Sequence, residues 1–179
     1  RKKYLKIPVL TDSDRYSGIN IQQGQKYFLF CGDAGYFEVI KFIIDSFEKL
    51  ENTGAFLYLV INGHDADKQV VRNYIEENSC RDRISVFSKL TDKELSNYYK
   101  NAIALLIPLR PTLQDIARFP HKIGEYLASG NPVISTNYGE VKSYFRDMEN
   151  MLIADSYDIN LFAEKMQFVM DNPQEAQKI

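Results

Sequence analysis

The residues from 118 to 127 have the types and order of a site that binds an anion. Pro120 suits the first turn of a helix, because the N–H that proline lacks would find no acceptor there. The arginine and phenylalanine before it have no side-chain oxygen that could cap the helix. We therefore expect the amide groups of residues 121–123 to lack local acceptors, and Lys122 adds a positive charge beside them. A helix start of this kind favours a diphosphate.

Glu125 follows one turn later, on the helix face that it shares with His121 and Lys122. A carboxylate accepts hydrogen bonds from two hydroxyl groups, so Glu125 is a candidate for the vicinal hydroxyls of a ribose. A surface ion pair between Lys122 and Glu125 would have the same spacing and contribute only about 0.2–0.5 kcal/mol. His121 fits either a contact with a bound sugar or an ordinary place on the helix surface. The spacing leaves both interpretations open.

The elements that must position these residues alternate between strand and helix from Lys26 onward. The β-rich runs are 27–31, 56–61, 84–87, 103–107, 133–135 and 151–154. Apolar residues recur at helical spacing between them, and Thr91 with Glu94 has the pattern of a capping box. Such alternation is typical of parallel strands joined by crossover helices. We therefore predict a doubly wound, Rossmann-like α/β fold with about six parallel strands and helices on both faces.

Ligands of such a sheet bind at the carboxyl ends of the strands, where the strand order reverses. The strand exits are 32–35, 63–64, 108–120 and 136–140. The first exit matches the dinucleotide motif G-x-G-x-x-G only in part, and Asn62 stands where an acidic residue would bind a ribose. An NAD site is therefore disfavoured. A tight turn explains Gly32 and Gly35 as well as a ligand would.

Composition limits the classes of protein to consider. The 179 residues include 22 Lys+Arg and 24 Asp+Glu, and this balance argues against a nucleic-acid partner. With 45% hydrophobic and 26% charged residues the chain is not wholly disordered, and no apolar run approaches the roughly 20 residues of a membrane span. We predict that residues 1–25 form a connector and residues 26–179 a single domain. Because the chain does not begin with Met, we expect a fragment of a longer protein.

Cysteine and histidine residues show no metal-binding pattern. Cys31 and Cys80 are far apart, so we expect reduced thiols, with Cys31 as a small buried residue. His64, Asp65 and Asp67 offer too few ligands for a hard cation and are typical of an acidic helix start. We expect neither a metal nor a cofactor.

Residues 119–134 read F-P-H-K-I-G-E-Y-L-A-S-G-N-P-V-I. This segment resembles the donor-site signature P-x-K-x-x-E-Y-L-A-x-G-x-P-V-I of the group 1 (family 4) glycosyltransferases of GT-B fold. Weaker matches to the same family occur at 7–10, 30–32, 62–63, 92–95, 104–108 and 139–140. The resemblance extends over most of the chain.

The resemblance implies the C-terminal, nucleotide-sugar-binding half of a two-domain enzyme whose N-terminal, acceptor-binding half is absent. Such an enzyme moves a sugar, typically a hexose, from a UDP-, GDP- or ADP-linked donor to a glycan or lipid, with retention and without a metal. We expect the fragment alone to be inactive. The resemblance also implies polysaccharide biosynthesis in the cytoplasm, and the basic residues 1–3 are slight support for contact with the inner membrane face.

Family roles carry over to particular positions. Glu125 matches the ribose-binding glutamate, Lys122 and the amides of 119–123 match the diphosphate and sugar region, and 88–90 matches the loop that holds the base. The resemblance assigns no catalytic residue. The candidate residues for the nucleotide-sugar are Gly32, Asp33, Lys89, Leu90, Arg110, Arg118, Phe119, His121, Lys122 and Glu125.

Three departures from the family pattern concern the chemistry. Many members have a glutamate where this chain has Ala117, and cations where it has Asp33 and Glu38. Losing two cations beside a leaving diphosphate would cost several kcal/mol of transition-state stabilisation unless other cations replace them. The cations that could replace them are Arg110, Arg118 and Lys122. A sugar-nucleotide epimerase of the same architecture and a non-catalytic nucleotide-sugar-binding module remain alternatives.

Overall fold

The structure is a computed structural model that describes residues 10–21, 24–51 and 54–179. The basic residues 1–3 and most of the connector motif at 7–10 lie outside the described residues. None of the helices in the described ranges is long and apolar enough to cross a bilayer.

Six strands form one parallel sheet in the order β3-β2-β1-β4-β5-β6. The strands are β1 (Tyr27–Asp33), β2 (Phe56–Asn62), β3 (Ile84–Phe87), β4 (Ala104–Ile107), β5 (Val133–Thr136) and β6 (Leu152–Ala154). Pairing of β1 with β2 runs from Tyr27 opposite Phe56 to Asp33 opposite Asn62, whereas β1 pairs with β4 at Phe28 and Leu29. The strand order therefore reverses between β1 and β4, which is where such a sheet opens a crevice.

Helices cover both faces of the sheet. They are α1 (Phe37–Glu48), α2 (Asp65–Glu76), α3 (Asp92–Asn101), α4 (Leu113–Ala117), α5 (His121–Ala128), α6 (Val141–Tyr144), α7 (Ile159–Asp171) and α8 (Pro173–Ala176). Short 3-10 turns occur at Asp14–Tyr16 and Arg81–Arg83. The predicted doubly wound α/β fold with six parallel strands is confirmed.

Two apolar cores lie on opposite faces of the sheet. One core joins the sheet to α1, α2, α7 and α8, with Phe28, Ile43 and Phe162 fully buried. The other joins it to α3 and α5 through Tyr99 and Tyr126, whose rings pack edge-to-face at 5.1 Å. The side chains of β4, and those of β1 from Tyr27 to Cys31, are apolar on both faces because helices cover both faces of the sheet.

Local structure differs from the sequence predictions in two places. Part of the predicted connector belongs to the core, since Tyr16 is buried and its hydroxyl donates to the Glu125 carbonyl at 2.9 Å. The exit of β4 contains the short helix α4, which apolar spacing did not predict. The capping box of Thr91 and Glu94 at the start of α3 is confirmed. The domain division at residue 25 stays a prediction.

Candidate functional site

A cavity of about 380 Å³ opens at the carboxyl ends of β1 and β4, at the switch point of the sheet. Its lining consists of residues 30–33, Tyr36, Val39, 107–109 and 118–122. The structure thus brings together six of the candidate residues from sequence, namely Gly32, Asp33, Arg118, Phe119, His121 and Lys122. Arg110, Glu125, Lys89 and Leu90 do not line this cavity.

The start of α5 forms one wall of the cavity. Pro120 is the N-cap residue and no side chain caps the helix. The prediction of three free amides is wrong for Ile123, whose N–H donates to the Pro120 carbonyl at 3.1 Å because the first turn is tight enough for a 3-10-type bond. Among the described residues no acceptor meets the amides of His121 and Lys122. Two bare amides and the Lys122 ammonium therefore share this wall.

A buried carboxylate joins two arginines beside the cavity. Oδ2 of Asp115 accepts hydrogen bonds from the Arg110 Nε at 2.8 Å and the Arg110 backbone N–H at 3.0 Å. Nη2 of Arg118 lies 2.8 Å from the other oxygen. Burial alone would raise the pKa of Asp115, but the hydrogen bonds from Arg110 and the charge of Arg118 outweigh it and hold the pKa below its usual value. Asp115 is therefore ionised at neutral pH.

Tyr36, the N-cap residue of α1, lies beside both arginines. Its ring lines the cavity, and the guanidinium carbons of Arg110 and Arg118 lie 5.8 Å and 5.5 Å from the ring centre. Cations at these distances are attracted by the ring. Both arginines thus flank the crevice on the side of β4.

The turn after β1 contributes no cation to the site. The Asp33 carboxylate turns back to its own loop, where Oδ1 accepts the Gly35 N–H at 2.9 Å. Gly63 packs against the same carboxylate so closely that a Cβ there would meet it at 2.8 Å, and its φ of +111° also requires glycine. Glu38 is exposed in the first turn of α1. Asp33 and Glu38 therefore leave this turn negatively charged.

Glu125 lies one turn below the bare amides, toward α3. Its Oε1 lies 3.6 Å from Nη1 of Arg15, and Nε of Arg15 also donates to the Ser96 hydroxyl at 3.1 Å. Arg15 belongs to the predicted connector, so the sequence offered no sign of this contact. A ribose at Glu125 would have to share the carboxylate with Arg15 or displace it.

The loop after β3 is fixed by Asn62 at the end of β2. The Asn62 side-chain oxygen accepts the Lys89 N–H at 3.0 Å, and the Asn62 carbonyl accepts the Ala34 N–H at 2.8 Å. Lys89 adopts a φ of +57°. Leu90 lines a separate cavity of about 420 Å³ beside α3, together with Tyr27, Tyr58 and Tyr98 among others. Asn62 therefore ties the turn after β1 to the loop after β3.

The acidic stretch after Gly63 opens α2, with Asp65 and Asp67 in the first turn. Asp65 is paired with Lys68 at 2.6 Å. Within the described ranges no three His, Cys, Asp or Glu residues gather in a group that could hold a metal ion. Both cysteines are free and buried, and burial raises the pKa of the Cys31 thiol, which fits the predicted role of a small core residue.

Sequence reasoning missed Tyr36, Asp115 and Thr136. Thr136 ends β5, and its hydroxyl accepts the Leu109 N–H at 2.8 Å and donates to the Leu109 carbonyl, which fixes the exit of β4. The only signal for Asp115 in the sequence is its spacing of three residues from Arg118.

Comparisons with known proteins agree with this architecture. The glycosyltransferase from Rickettsia africae ESF-5 superposes with a TM-score of 0.79 and 16% identity, covering 96% of this chain and 48% of that one. Sucrose-phosphate synthase from Thermosynechococcus elongatus superposes with a TM-score of 0.70 and 19% identity, covering 95% of this chain and 42% of that one. The C-terminal domain of a group 1 glycosyl transferase from Francisella tularensis superposes with a TM-score of 0.62 and 17% identity, covering 96% of this chain and 88% of that one.

The chain spans less than half the length of the first two of these structures. A comparison with curated protein sequences gives no significant match. The family model for glycosyl transferases group 1 matches residues 14–179, which is nearly the whole chain. This chain therefore belongs to the group 1 glycosyl transferases.

Proposed function

We propose that this chain is the donor-binding half of a glycosyltransferase and that its crevice holds the diphosphate of a nucleotide-sugar. The observation that carries the proposal is the pair of bare amides at the start of α5, which share one cavity with Arg118 and Lys122 at the switch point of the sheet. A helix start and two cations form a suitable site for phosphate oxygens. Membership of the group 1 family supports a nucleotide-sugar as the ligand.

The chemistry of transfer follows from the charges around the cavity. When the bond between the sugar and the diphosphate breaks, its electron pair passes to the diphosphate oxygen, and the sugar carbon develops oxocarbenium character. Donors already fixed in place stabilise the leaving charge without reorganisation. The bare amides, Arg118 and Lys122 would fill this role, and this supports a transfer without a metal. Retention, a hexosyl donor and an acceptor held by a further domain are parts of the same proposal.

The remaining parts of the donor would extend from the diphosphate toward α3. Glu125 lies in that direction and would accept the ribose hydroxyls. The loop of Lys89 and Leu90, held by Asn62, would contact the base. From the family resemblance we also propose that the protein acts in polysaccharide synthesis, in the cytoplasm at the inner membrane face.

A non-catalytic nucleotide-sugar-binding module is the second candidate. Ala117, Asp33 and Glu38 favour it, because none of them supplies a carboxylate beside the sugar or a cation beside the diphosphate. Sugar transfer by a protein that contains this chain and its partner domain would exclude it.

Calorimetric titration of the 179-residue chain with UDP, GDP and ADP tests the proposal. We expect one nucleotide to bind, and Lys122→Gln to weaken binding about tenfold, or about 1.4 kcal/mol, because a charge beside the diphosphate is lost. Lys49→Gln is the matched control, since Lys49 is exposed at the end of α1. Absence of binding by all three nucleotides, or equal losses in both variants, would contradict the proposal.

A further inference from the structure

We propose that Asp115 is a positioning residue that holds Arg110 and Arg118 as a clamp of two guanidinium groups for the diphosphate. This inference rests on the proposed function and extends it to side chains behind the cavity wall. The negatively charged turn after β1 supports this inference, because Asp33 and Glu38 leave the diphosphate without cations on that side. The compensating charge then has to come from the exit of β4.

The geometry of the three side chains is that of one carboxylate between two cations. Oδ2 of Asp115 accepts a hydrogen bond from the Arg110 Nε at 2.8 Å, whereas Oδ1 is ion-paired with the Arg118 Nη2 at 2.8 Å without hydrogen-bond geometry. Both guanidinium carbons also lie within 6 Å of the centre of the Tyr36 ring. Two guanidinium groups so close to one ring repel each other unless an anion lies between them. Asp115 supplies that anion.

The exposure of the three groups shows that Asp115 does not compete with a ligand. The Asp115 side chain is 1% exposed, whereas those of Arg110 and Arg118 are 20% and 42% exposed. The buried carboxylate is closed to a ligand, whereas Arg118 lines the cavity and Arg110, which does not line it, is partly exposed beside it. A guanidinium has five N–H donors, and the contacts described with Asp115 use one side-chain nitrogen of each arginine. The other donors remain for phosphate oxygens.

The backbone around Asp115 is fixed on both sides. Thr112 caps α4 by accepting the Asp115 N–H at 3.3 Å. Gly139, in the turn after β5, packs so closely on α4 that a Cβ would lie 2.9 Å from the Asp115 carbonyl oxygen. Thr136 holds Leu109, the residue before Arg110. The Asp115 backbone thus packs on the turn after β5, and Leu109 is hydrogen-bonded to β5 itself, as a pre-organised clamp requires.

The charge of the cluster also suits the ligand. Two arginines and one aspartate give a net charge of +1, Lys122 on the cavity wall raises it to +2, and Asp33, which also lines the cavity, lowers it to +1. A diphosphate linked to a nucleoside and a sugar carries two negative charges. The side chains around the cavity thus keep a net positive charge for this ligand.

Calorimetric titration of the 179-residue chain with inorganic pyrophosphate at low salt tests the role of Asp115. We expect Asp115→Asn to weaken binding about fivefold, because the arginines lose their fixed positions. In a background of Arg110→Gln and Arg118→Gln the same substitution should change the affinity less than about twofold, because Asp115 acts through those arginines. Asp82→Asn, which removes a carboxylate that is 94% exposed and does not line this cavity, is the control for net charge.

Other results would overturn the inference. They are unchanged or tighter pyrophosphate binding by Asp115→Asn, an equal loss in both backgrounds, or no pyrophosphate binding by a wild-type chain that binds a nucleoside diphosphate. If Asp115→Asn does not fold, Thr112→Val replaces it as the test variant. We expect Thr112→Val to bind pyrophosphate about threefold more weakly, and only in the wild-type background. Equal pyrophosphate affinities of Thr112→Val and the wild-type chain would contradict the inference. A wild-type chain that binds no nucleoside diphosphate would instead overturn the proposed function.

Discussion

At the scale of single residues, the position of each charge decides what the crevice can bind. Arg118 and Lys122 line the cavity, while the carboxylate of Asp33 is turned back to its own loop and bound to the Gly35 N–H. The residue types alone did not show which charged side chain faces the crevice, because the sequence does not say where the side chains of Asp33 and Arg118 point. Ile123 illustrates the reverse case, since its amide belongs to the predicted anion site but bonds to Pro120.

Glu125→Ala tests the ribose contact at this scale. We expect the chain to bind its nucleoside diphosphate about tenfold more weakly, a loss of about 1.4 kcal/mol, because two hydroxyl groups lose their acceptor. The affinity for pyrophosphate should stay the same, since pyrophosphate has no ribose. Calorimetry with both ligands measures the difference, and Glu164→Ala on the exposed side of α7 is the control. Equal nucleotide affinity in Glu125→Ala would remove this role from Glu125.

At the scale of elements, the exit of β4 depends on the turn after β5. Gly139 has a φ of +57°, and a side chain there would approach the backbone oxygens of Asp115 and Ile116. The turn therefore supports α4, a helix of only five residues that could not be stable alone.

Gly139→Ala tests this support by urea unfolding. Gly18→Ala is the matched control, because Gly18 also has a positive φ, of 76°, but no atom of its surroundings would lie within 4 Å of a Cβ. Left-handed backbone costs an alanine about 1–2 kcal/mol at either site. We expect Gly139→Ala to lose about a further 1–3 kcal/mol of unfolding free energy, since close-packed backbone must shift. Equal losses in the two variants would show that the turn does not support α4.

The strands could be predicted from the sequence better than the loops between them. Runs such as 57–61 and 102–107 are apolar throughout, and strands buried on both faces give this pattern whatever their neighbours are. The short helix α4 has too few residues for a helical period to show. The contacts of Asp115 with Arg110 and of Arg15 with Glu125 depend on how the loops and the connector fold back onto the domain. The spacing of residues along the chain does not predict such contacts.

At the scale of the whole molecule, the chain matches part of two longer structures and most of a shorter one. The chain spans 42% and 48% of two similar structures that are longer, and 88% of a C-terminal domain from the same family. The cavity proposed to hold the donor lies at the carboxyl edge of the sheet, at the reversal of strand order between β1 and β4.

The most direct test of the central claim is to follow the backbone amides of His121 and Lys122 by NMR. The isotope-labelled chain is titrated with the nucleoside diphosphate that binds, and with its nucleoside as the control. We expect large shifts of both amide signals with the diphosphate and small ones with the nucleoside, because phosphate oxygens accept from these two N–H groups. Saturating nucleoside diphosphate that leaves both signals unmoved would contradict the central claim.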